Sequence, residues 1–151
     1  MDAKKWGARV PHIVNKGCYD QWLVDNQPIG TIGGASTAGM RFTKPEEIRL
    51  EGSFSDVLLG GYDPAAHIKD LDLDGIYADF LYSSVATNMY AIRDPSLLRA
   101  VFFAYNNWLA DFCKPFPERL KGIGQLNLDD VGDGIGELER CAKMGLAGAV
   151  I

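Results

Sequence analysis

Three aspartates, Asp70, Asp72 and Asp74, have the most regular spacing of the side chains in this sequence that could bind a metal ion, and Gly75 follows them. This run matches the first half of an EF-hand calcium loop, in which alternating carboxylates precede a glycine turn. The loop also needs a bidentate glutamate at its twelfth position, where this sequence has Leu81. We therefore interpret the three aspartates as the acidic, solvated end of a helix, although helix C-termini favour cations.

A glycine-rich segment, residues 33–39, has the sequence GGASTAG and could in principle bind a phosphate group or present a nucleophile. It lacks the Gly-Lys-Ser/Thr ending of a phosphate-binding loop and does not join a predicted strand to a predicted helix. Ser36 does not complete a nucleophile elbow, because Ala38 replaces the second glycine of that motif. We interpret the segment as a flexible surface loop.

The sequence has two histidines, His12 and His67, which lie far apart. Neither has a cysteine or a carboxylate at the spacing of a metal-binding motif. We expect His12 on a β-hairpin and His67 on a short helix, in surface or capping roles rather than as metal ligands.

Composition limits the function classes. The chain has 151 residues, 47% hydrophobic and 23% charged, with a net charge of −5, which argues against a nucleic-acid partner. No apolar run approaches the roughly 20 residues of a membrane span, and residues 1–11 lack the apolar stretch of a signal peptide. Cys18, Cys113 and Cys141 are odd in number and unpatterned, which indicates reduced thiols and a cytoplasmic protein.

The longest predicted helix begins at Pro95, capped by Asp94, and ends before Pro115. Its predicted apolar face consists of Leu98, Val101, Phe102, Tyr105, Trp108, Leu109 and Phe112. Asn106 and its neighbour Asn107 fall on the predicted polar side. Phe103 also falls there, either as an exposed aromatic or as a contact with a neighbouring element or subunit.

From residue 62 onward, helices and strands alternate. The predicted elements are a helix from Pro64 to Gly75, a strand Ile76–Tyr82, a loop 83–92 and then the long helix. A strand Lys121–Leu128 follows, then a helix capped by Asp129 or Asp130, and a strand after Gly145. The inner stripe of that last helix is predicted to consist of Val131, Ile135, Leu138 and Ala142. This alternation predicts parallel strands joined by right-handed crossovers.

Residues 1–61 are predicted to form a separate, less regular part. Residues 10–29 are typical of two short strands around a turn at Asn15–Asp20, and residues 30–61 of a long irregular insertion. The chain stops at Ile151 inside an apolar strand, so we expect it to be cut from a larger protein.

Several segments together resemble a known family. They are residues 70–76, 78–82, 105–113, 117–122, 137–140 and 145–151, with residues 5–30 in addition. They resemble the amidohydrolase-related branch of the amidohydrolase superfamily, which contains metal-dependent hydrolases and non-oxidative decarboxylases similar to aminocarboxymuconate-semialdehyde decarboxylase.

The resemblance implies an incomplete (β/α)8 TIM barrel with an N-terminal β-hairpin and long loop, in which the three parallel strands correspond to the second, third and fourth of the barrel. It implies a divalent metal, zinc or manganese, in a complete family member. The family's first strand would precede Met1, and its later histidine and aspartate ligands would follow Ile151. No residue of this chain matches a metal ligand or catalytic residue of the family.

Active sites of such barrels lie at the carboxyl ends of the strands. The resemblance therefore makes Tyr82, Ser83, Ser84 and Asn127 candidate substrate-pocket residues, or else ordinary polar strand ends. It implies a segment of a metal-dependent hydrolase or decarboxylase, inactive alone, with a small-molecule substrate only in the complete protein. The alternative is a non-catalytic protein, derived from a truncated barrel, that self-associates as a homo-oligomer or binds a partner through its open strand edges. A closed small-molecule-binding domain is less well supported.

Overall fold

The computed structural model describes residues 3–151, so Met1 and Asp2, with which the predicted segment 1–61 begins, lie outside the described residues. The chain divides into two compact units, one ending at Tyr62 and the other beginning at Asp63. Within residues 3–151, no helix combines the length and apolar character that a bilayer crossing requires.

The N-terminal unit starts with a short helix α1 (Ala3–Trp6) and contains an antiparallel sheet of three strands, β1 (His12–Asn15), β2 (Asp20–Val24) and β3 (Gln27–Thr31). The two predicted strands around the turn at Asn15–Asp20 are confirmed as β1 and β2, but the third strand, β3, was missed. Asp25 and Asn26 both have positive φ angles, as a tight hairpin turn requires. The sequence did not indicate the third strand, because it contains Pro28 and Gly30, and both residue types are uncommon inside strands.

Residues 32–62 contain only short helical segments, as predicted. They are α2 (Gly33–Ser36), α3 (Met40–Thr43) and 3-10 turns at Pro45–Glu47, Phe54–Asp56 and Leu59–Gly61. This segment is held to the hairpin by the buried carboxylate of Asp20, which accepts hydrogen bonds from Asn15 Nδ2 at 2.8 Å, Ser53 Oγ at 2.9 Å and Phe54 N at 2.8 Å. These bonds, led by that from Phe54, lower the pKa of Asp20.

The C-terminal unit is an α/β structure with a parallel sheet, as the alternation predicted. Its elements are α4 (Pro64–Leu73), β4 (Asp79–Leu81), α5 (Ser84–Asn88), α6 (Pro95–Cys113), β5 (Leu120–Gln125), α7 (Val131–Lys143) and β6 (Gly148–Val150). The strand order is β4-β5-β6, with Asp79 beside Leu120 and Ile123 beside Gly148. The strands are shorter than predicted, but Gly75 and Gly145 end α4 and α7 with positive φ angles, as expected.

Residues 83–92 are not the predicted loop. They form α5 and a 3-10 turn, Met89–Ala91, and bury Ala86, Met89 and Ile92. Ser83 caps α5 by accepting a hydrogen bond from Ala86 N at 2.7 Å. The segment is too short to show a helical period in the sequence, so only this cap could have indicated it.

The long helix α6 is confirmed, with Asp94 accepting hydrogen bonds from the N–H groups of Ser96 and Leu97. The predicted faces were partly wrong. Trp108 is 49% exposed, whereas Asn106, assigned to the polar side, is fully buried. The main core of this unit consists of Ile68, Leu71, Leu109, Phe112, Cys113, Leu120, Cys141 and Leu146.

The inner stripe predicted for α7 was also wrong, although Asp130 does cap the helix. Val131, Ile135 and Leu138 are exposed, and the helix instead buries Gly134 and Cys141. A Cβ atom on Gly134 would lie 2.5 Å from Leu128 Cδ2. The helix therefore packs closely through small residues and leaves its larger apolar side chains outside.

Candidate functional site

The carboxyl ends of the three parallel strands form one edge of the sheet, which is where ligands of such sheets bind. The hydroxyl of Tyr90 lies 2.9 Å from the carbonyl oxygen of Leu126 and 3.1 Å from that of Val150, at the ends of β5 and β6, so its single proton is shared between the two acceptors. Burial raises the pKa of Tyr90, although the hydrogen bond to Leu126 opposes the shift. Tyr90 therefore stays neutral at ordinary pH and ties two strand ends together.

The candidate residues after β4 differ in their environments. Tyr82 is 69% exposed and Ser84 is also exposed, so both can contact a ligand. Ser83 is committed to structure, because its Oγ caps α5 and its carbonyl oxygen accepts a hydrogen bond from Thr87 Oγ1 at 2.6 Å.

Asn127, the candidate after β5, lies in a different place. Its Oδ1 accepts a hydrogen bond from Asp129 N at 3.0 Å, and its Nδ2 donates to Pro95 O at 3.5 Å. It lines a groove of about 470 Å³ between α6 and α7, beside the ion pair of Arg99 and Asp133. The residues that line this groove do not include Tyr82, Ser83 or Ser84.

Gln125, the last residue of β5, was not predicted as a site residue. A Cβ on Gly124 would lie 3.1 Å from Asn106 Oδ1, so Gly124 faces the helices, and Gln125 faces the opposite side of the sheet. Its side chain is fully buried, and among the described residues neither Oε1 nor Nε2 has a hydrogen-bond partner. A glutamine within the otherwise apolar run 122–126 was the available signal in the sequence.

Asn106 completes the hydrogen bonding of β5 at this edge. Its Oδ1 accepts from Gln125 N at 2.8 Å, and its Nδ2 donates to Gln125 O at 2.9 Å and to Glu137 Oε1 at 2.7 Å. Leu126 N donates a hydrogen bond to Val150 O of β6, so the backbone N–H and C=O groups of the preceding residue, Gln125, point to the opposite side, towards β4. Strand β4 has already ended at Leu81. The side chain of Asn106 thus takes the place of a missing strand partner.

The same network continues into an ion pair on α7. Arg140 donates from Nε to Glu137 Oε2 at 2.8 Å and from Nη2 to Oε1 at 2.6 Å, and it also bonds Asn107 Oδ1. Burial opposes ionisation of Glu137, but the hydrogen bonds from Arg140 and Asn106 outweigh it and lower its pKa.

Burial, with the charge of Glu137, raises the pKa of Cys141 to about 11, so this thiol is not a nucleophile at neutral pH. The guanidinium of Arg140 also stacks on Phe103 at 3.9 Å, which gives that aromatic ring a partner.

The histidines and the acidic run have structural partners. His12 Nδ1 lies 2.7 Å from Val10 O, and His67 Nε2 lies 3.2 Å from Asp79 Oδ2. Asp72 pairs with Arg119 at 2.7 Å, which explains a carboxylate at the end of α4. Within residues 3–151, no three His, Cys, Asp or Glu side chains lie close enough to hold a metal ion. The described residues therefore do not fit a metal site.

Comparison with known proteins gives similarity to solved structures. No protein-family model and no curated protein matches the sequence. The chain is similar to 2,6-dihydroxybenzoate decarboxylase from Rhizobium, with 29% identity over 56% of this chain and 26% of that chain, at a TM-score of 0.51. A structure of 2,6-dihydroxybenzoate decarboxylase complexed with 2,6-dihydroxybenzoate matches with the same values. An amidohydrolase from Mycobacterium avium subsp. paratuberculosis K-10 matches over 95% of this chain and 42% of that chain, with 16% identity and a TM-score of 0.65. The chain thus spans 26% to 42% of the length of these proteins.

Proposed function

The chain resembles the amidohydrolase superfamily, and on that basis we propose that it is a segment of a metal-dependent hydrolase or non-oxidative decarboxylase with a (β/α)8 barrel. The observation that carries this proposal is the 29% identity to the Rhizobium decarboxylase, together with a parallel sheet in the order β4-β5-β6. This identity favours the decarboxylase over the hydrolase. In this proposal the three strands are the second, third and fourth of the barrel.

The contribution of this segment is one wall of the substrate pocket. Tyr82 and Ser84 are exposed beyond β4, and their hydroxyl groups can donate hydrogen bonds to an oxygen of a small aromatic acid. Ser83 and Asn127 would act indirectly, by shaping the loops that present the pocket. We propose a small molecule as the ligand, because the net charge of −5 disfavours a nucleic-acid partner. We propose the cytoplasm as the location, because the three cysteines are free thiols.

Zinc or manganese would supply Lewis-acid chemistry in the complete enzyme. Because the described residues do not fit a metal site, no step through a metal is assigned to this chain. We propose that the chain alone does not turn over substrate. Loss of the carboxyl group from 2,6-dihydroxybenzoate breaks one C–C bond, and a proton replaces CO2 to give 1,3-dihydroxybenzene.

The purified chain, incubated with 2,6-dihydroxybenzoate and either zinc or manganese, should form no 1,3-dihydroxybenzene by chromatography. Turnover with stoichiometric metal would contradict the proposal that it is inactive alone. A chimera that carries this segment in place of the matching segment of the Rhizobium enzyme should regain activity. Tyr82→Phe and Ser84→Ala in the chimera should raise KM, and Leu73→Ala serves as the control, because Leu73 is exposed at the end of α4, which leads into the amino end of β4. A folded chimera without product would refute the assignment.

We also propose a second, non-catalytic property, self-association as a homo-oligomer. Within the described residues, β4 and β6 each pair only with β5, so each has an open edge. The exposed apolar side chains of α7 favour this proposal further.

A further inference from the structure

The side chain of Gln125 is a polar group that the fold itself does not use. It is fully inaccessible to solvent, and among residues 3–151 its Oε1 and Nε2 atoms have no hydrogen-bond partner. A buried amide without partners opposes folding, and native proteins keep few such groups. The two atoms therefore indicate a partner outside the described residues.

The polar groups that hold the end of β5 are already used. Asn106 uses its Oδ1 and both hydrogens of its Nδ2, and two of these three bonds go to the backbone of Gln125. The Tyr90 hydroxyl shares its proton between two carbonyl oxygens at the strand ends. The residue beside Gln125 in β6 is Val150, whose side chain has no polar atom. The amide of Gln125 is therefore the polar group that this strand end leaves unpaired.

The position of Gln125 favours a ligand over a packing partner. One layer below it, Ile123 and Gly148 pair in register on the same face of the sheet, and a Cβ atom on Gly148 would lie 3.4 Å from Ile123 Cδ1. Gln125 is the last residue of β5, at the carboxyl edge where parallel sheets and barrels bind ligands. A polar side chain thus replaces apolar packing at the end of the strand that borders the candidate site.

We propose that Gln125 determines substrate specificity by binding the polar edge of the substrate through its amide. This inference rests on the proposed function and adds a residue to the proposed pocket wall. The amide presents one acceptor, Oε1, beside one donor, Nε2. A hydroxyl group next to a carboxylate on an aromatic ring presents the matching donor and acceptor. Because the folded chain already shields the amide from water, hydrogen bonds to the substrate form without removing water from Gln125.

The chimera with the Rhizobium enzyme tests this residue in a complete barrel. Gln125→Met keeps the length of the side chain and removes both polar atoms, so KM for 2,6-dihydroxybenzoate should rise at least about tenfold, with kcat within about threefold of the parent chimera. The melting temperature should stay the same or rise, because no bond within the protein is lost. Ile123→Val, one layer below on the same face, is the matched control, and it should lower the melting temperature and leave KM unchanged.

Inhibition by benzoate provides a second measurement, because benzoate keeps the carboxylate and lacks the hydroxyl groups. Gln125→Met should raise its inhibition constant by a smaller factor than KM for 2,6-dihydroxybenzoate, and equal factors would overturn the pairing with a hydroxyl. An active chimera in which Gln125→Met leaves KM unchanged would overturn the role of Gln125 while the proposed function stands. A fall in melting temperature in that case would identify a protein group as the partner. A folded chimera without product would overturn both.

Discussion

The substitution Asn106→Asp tests whether the buried amide holds the end of β5. It changes one side-chain nitrogen to oxygen and leaves the shape intact. The wild-type Nδ2 donates to Gln125 O at 2.9 Å and to Glu137 Oε1 at 2.7 Å. The introduced carboxylate donates to neither and places a negative charge beside Glu137.

The magnitude follows from one acceptor left unpaired, Gln125 O, and from the new charge beside Glu137, whose Oε1 keeps its hydrogen bond from Arg140 Nη2. Each buried acceptor without a donor costs about 1–3 kcal/mol. The added charge repulsion is buried too, since Asn106 is fully inaccessible to solvent. We therefore expect the free energy of unfolding to fall by about 3–5 kcal/mol at neutral pH, the range for leaving one charge of a buried ion pair uncompensated.

Urea unfolding followed by circular dichroism measures this loss, and the pH dependence separates charge from shape. Burial and Glu137 raise the pKa of the introduced carboxyl group. A raised pKa in the folded state adds stability at low pH, so the deficit relative to wild type should shrink as the pH falls. Asn107→Asp is the matched control, because its side-chain oxygen accepts from Arg140 and a carboxylate preserves that contact. Its free energy of unfolding should stay within about 0.5 kcal/mol of wild type.

A loss smaller than about 1 kcal/mol at neutral pH would refute this account of the strand end. A deficit that is the same at neutral and acidic pH would refute the electrostatic part of it.

Three further measurements probe the same unit. Gln125→Met removes two buried polar atoms without partners, so it should raise the free energy of unfolding in urea by about 1–3 kcal/mol, and a loss would reveal a partner for the amide. The pKa of Glu137 in the folded protein is lowered from its ordinary value of 4.5, so its contribution to stability is complete above 4.5 and is lost as the pH falls through the lower folded pKa. Glu137→Gln should therefore flatten the dependence of the free energy of unfolding on pH between about pH 6 and 3. An unchanged pH dependence would contradict the assignment. Gly136→Ala, on the open surface of α7, should stabilise by up to about 1 kcal/mol. Gly134→Ala should be less stable than Gly136→Ala by about 1 kcal/mol or more, because its Cβ would displace Leu128 and lie 3.2 Å from Asn127 O; thermal melts that show equal stability for the two variants would contradict the close packing of α7.

Local signals in the sequence were sufficient for the elements that carry their own caps. Asp63, Asp94 and Asp130 each accept a hydrogen bond from the first turn of a predicted helix, and Gly75 and Gly145 each end one. These interactions lie within a few residues, so they can be recognised without knowing the fold.

Which face of each helix is buried depends on how the helices pack on the sheet, and the sequence pattern alone does not determine that packing. A Cβ atom on Gly122 would lie 2.8 Å from both Leu109 and Leu146, so β5 lets its covering helices approach closely. Such close packing selects Cys141 rather than a larger residue on α7. Apolar periodicity therefore located α7 correctly but assigned its wrong face to the interior.

The candidate site shows a similar division. Position at strand ends singled out Ser83 and Asn127, but serine and asparagine are also the residues that cap helices and turns, and both do so here. Gln125 was overlooked because its strand was interpreted only as a buried apolar run.

The replacement of a strand partner by Asn106 has a consequence for how this protein can vary. Beyond Leu81 the chain does not need to form backbone hydrogen bonds with β5, because the side-chain amide of Asn106 on α6 already bonds the N–H and C=O groups of Gln125. New side chains at exposed positions after β4, such as Tyr82 and Ser84, can therefore accumulate without breaking the backbone hydrogen bonds of the sheet, whereas Tyr90 stays constrained by its contacts with the ends of β5 and β6. In the proposed function this surface borders the substrate pocket, so the wall of that pocket can diversify while the sheet beneath it stays unchanged.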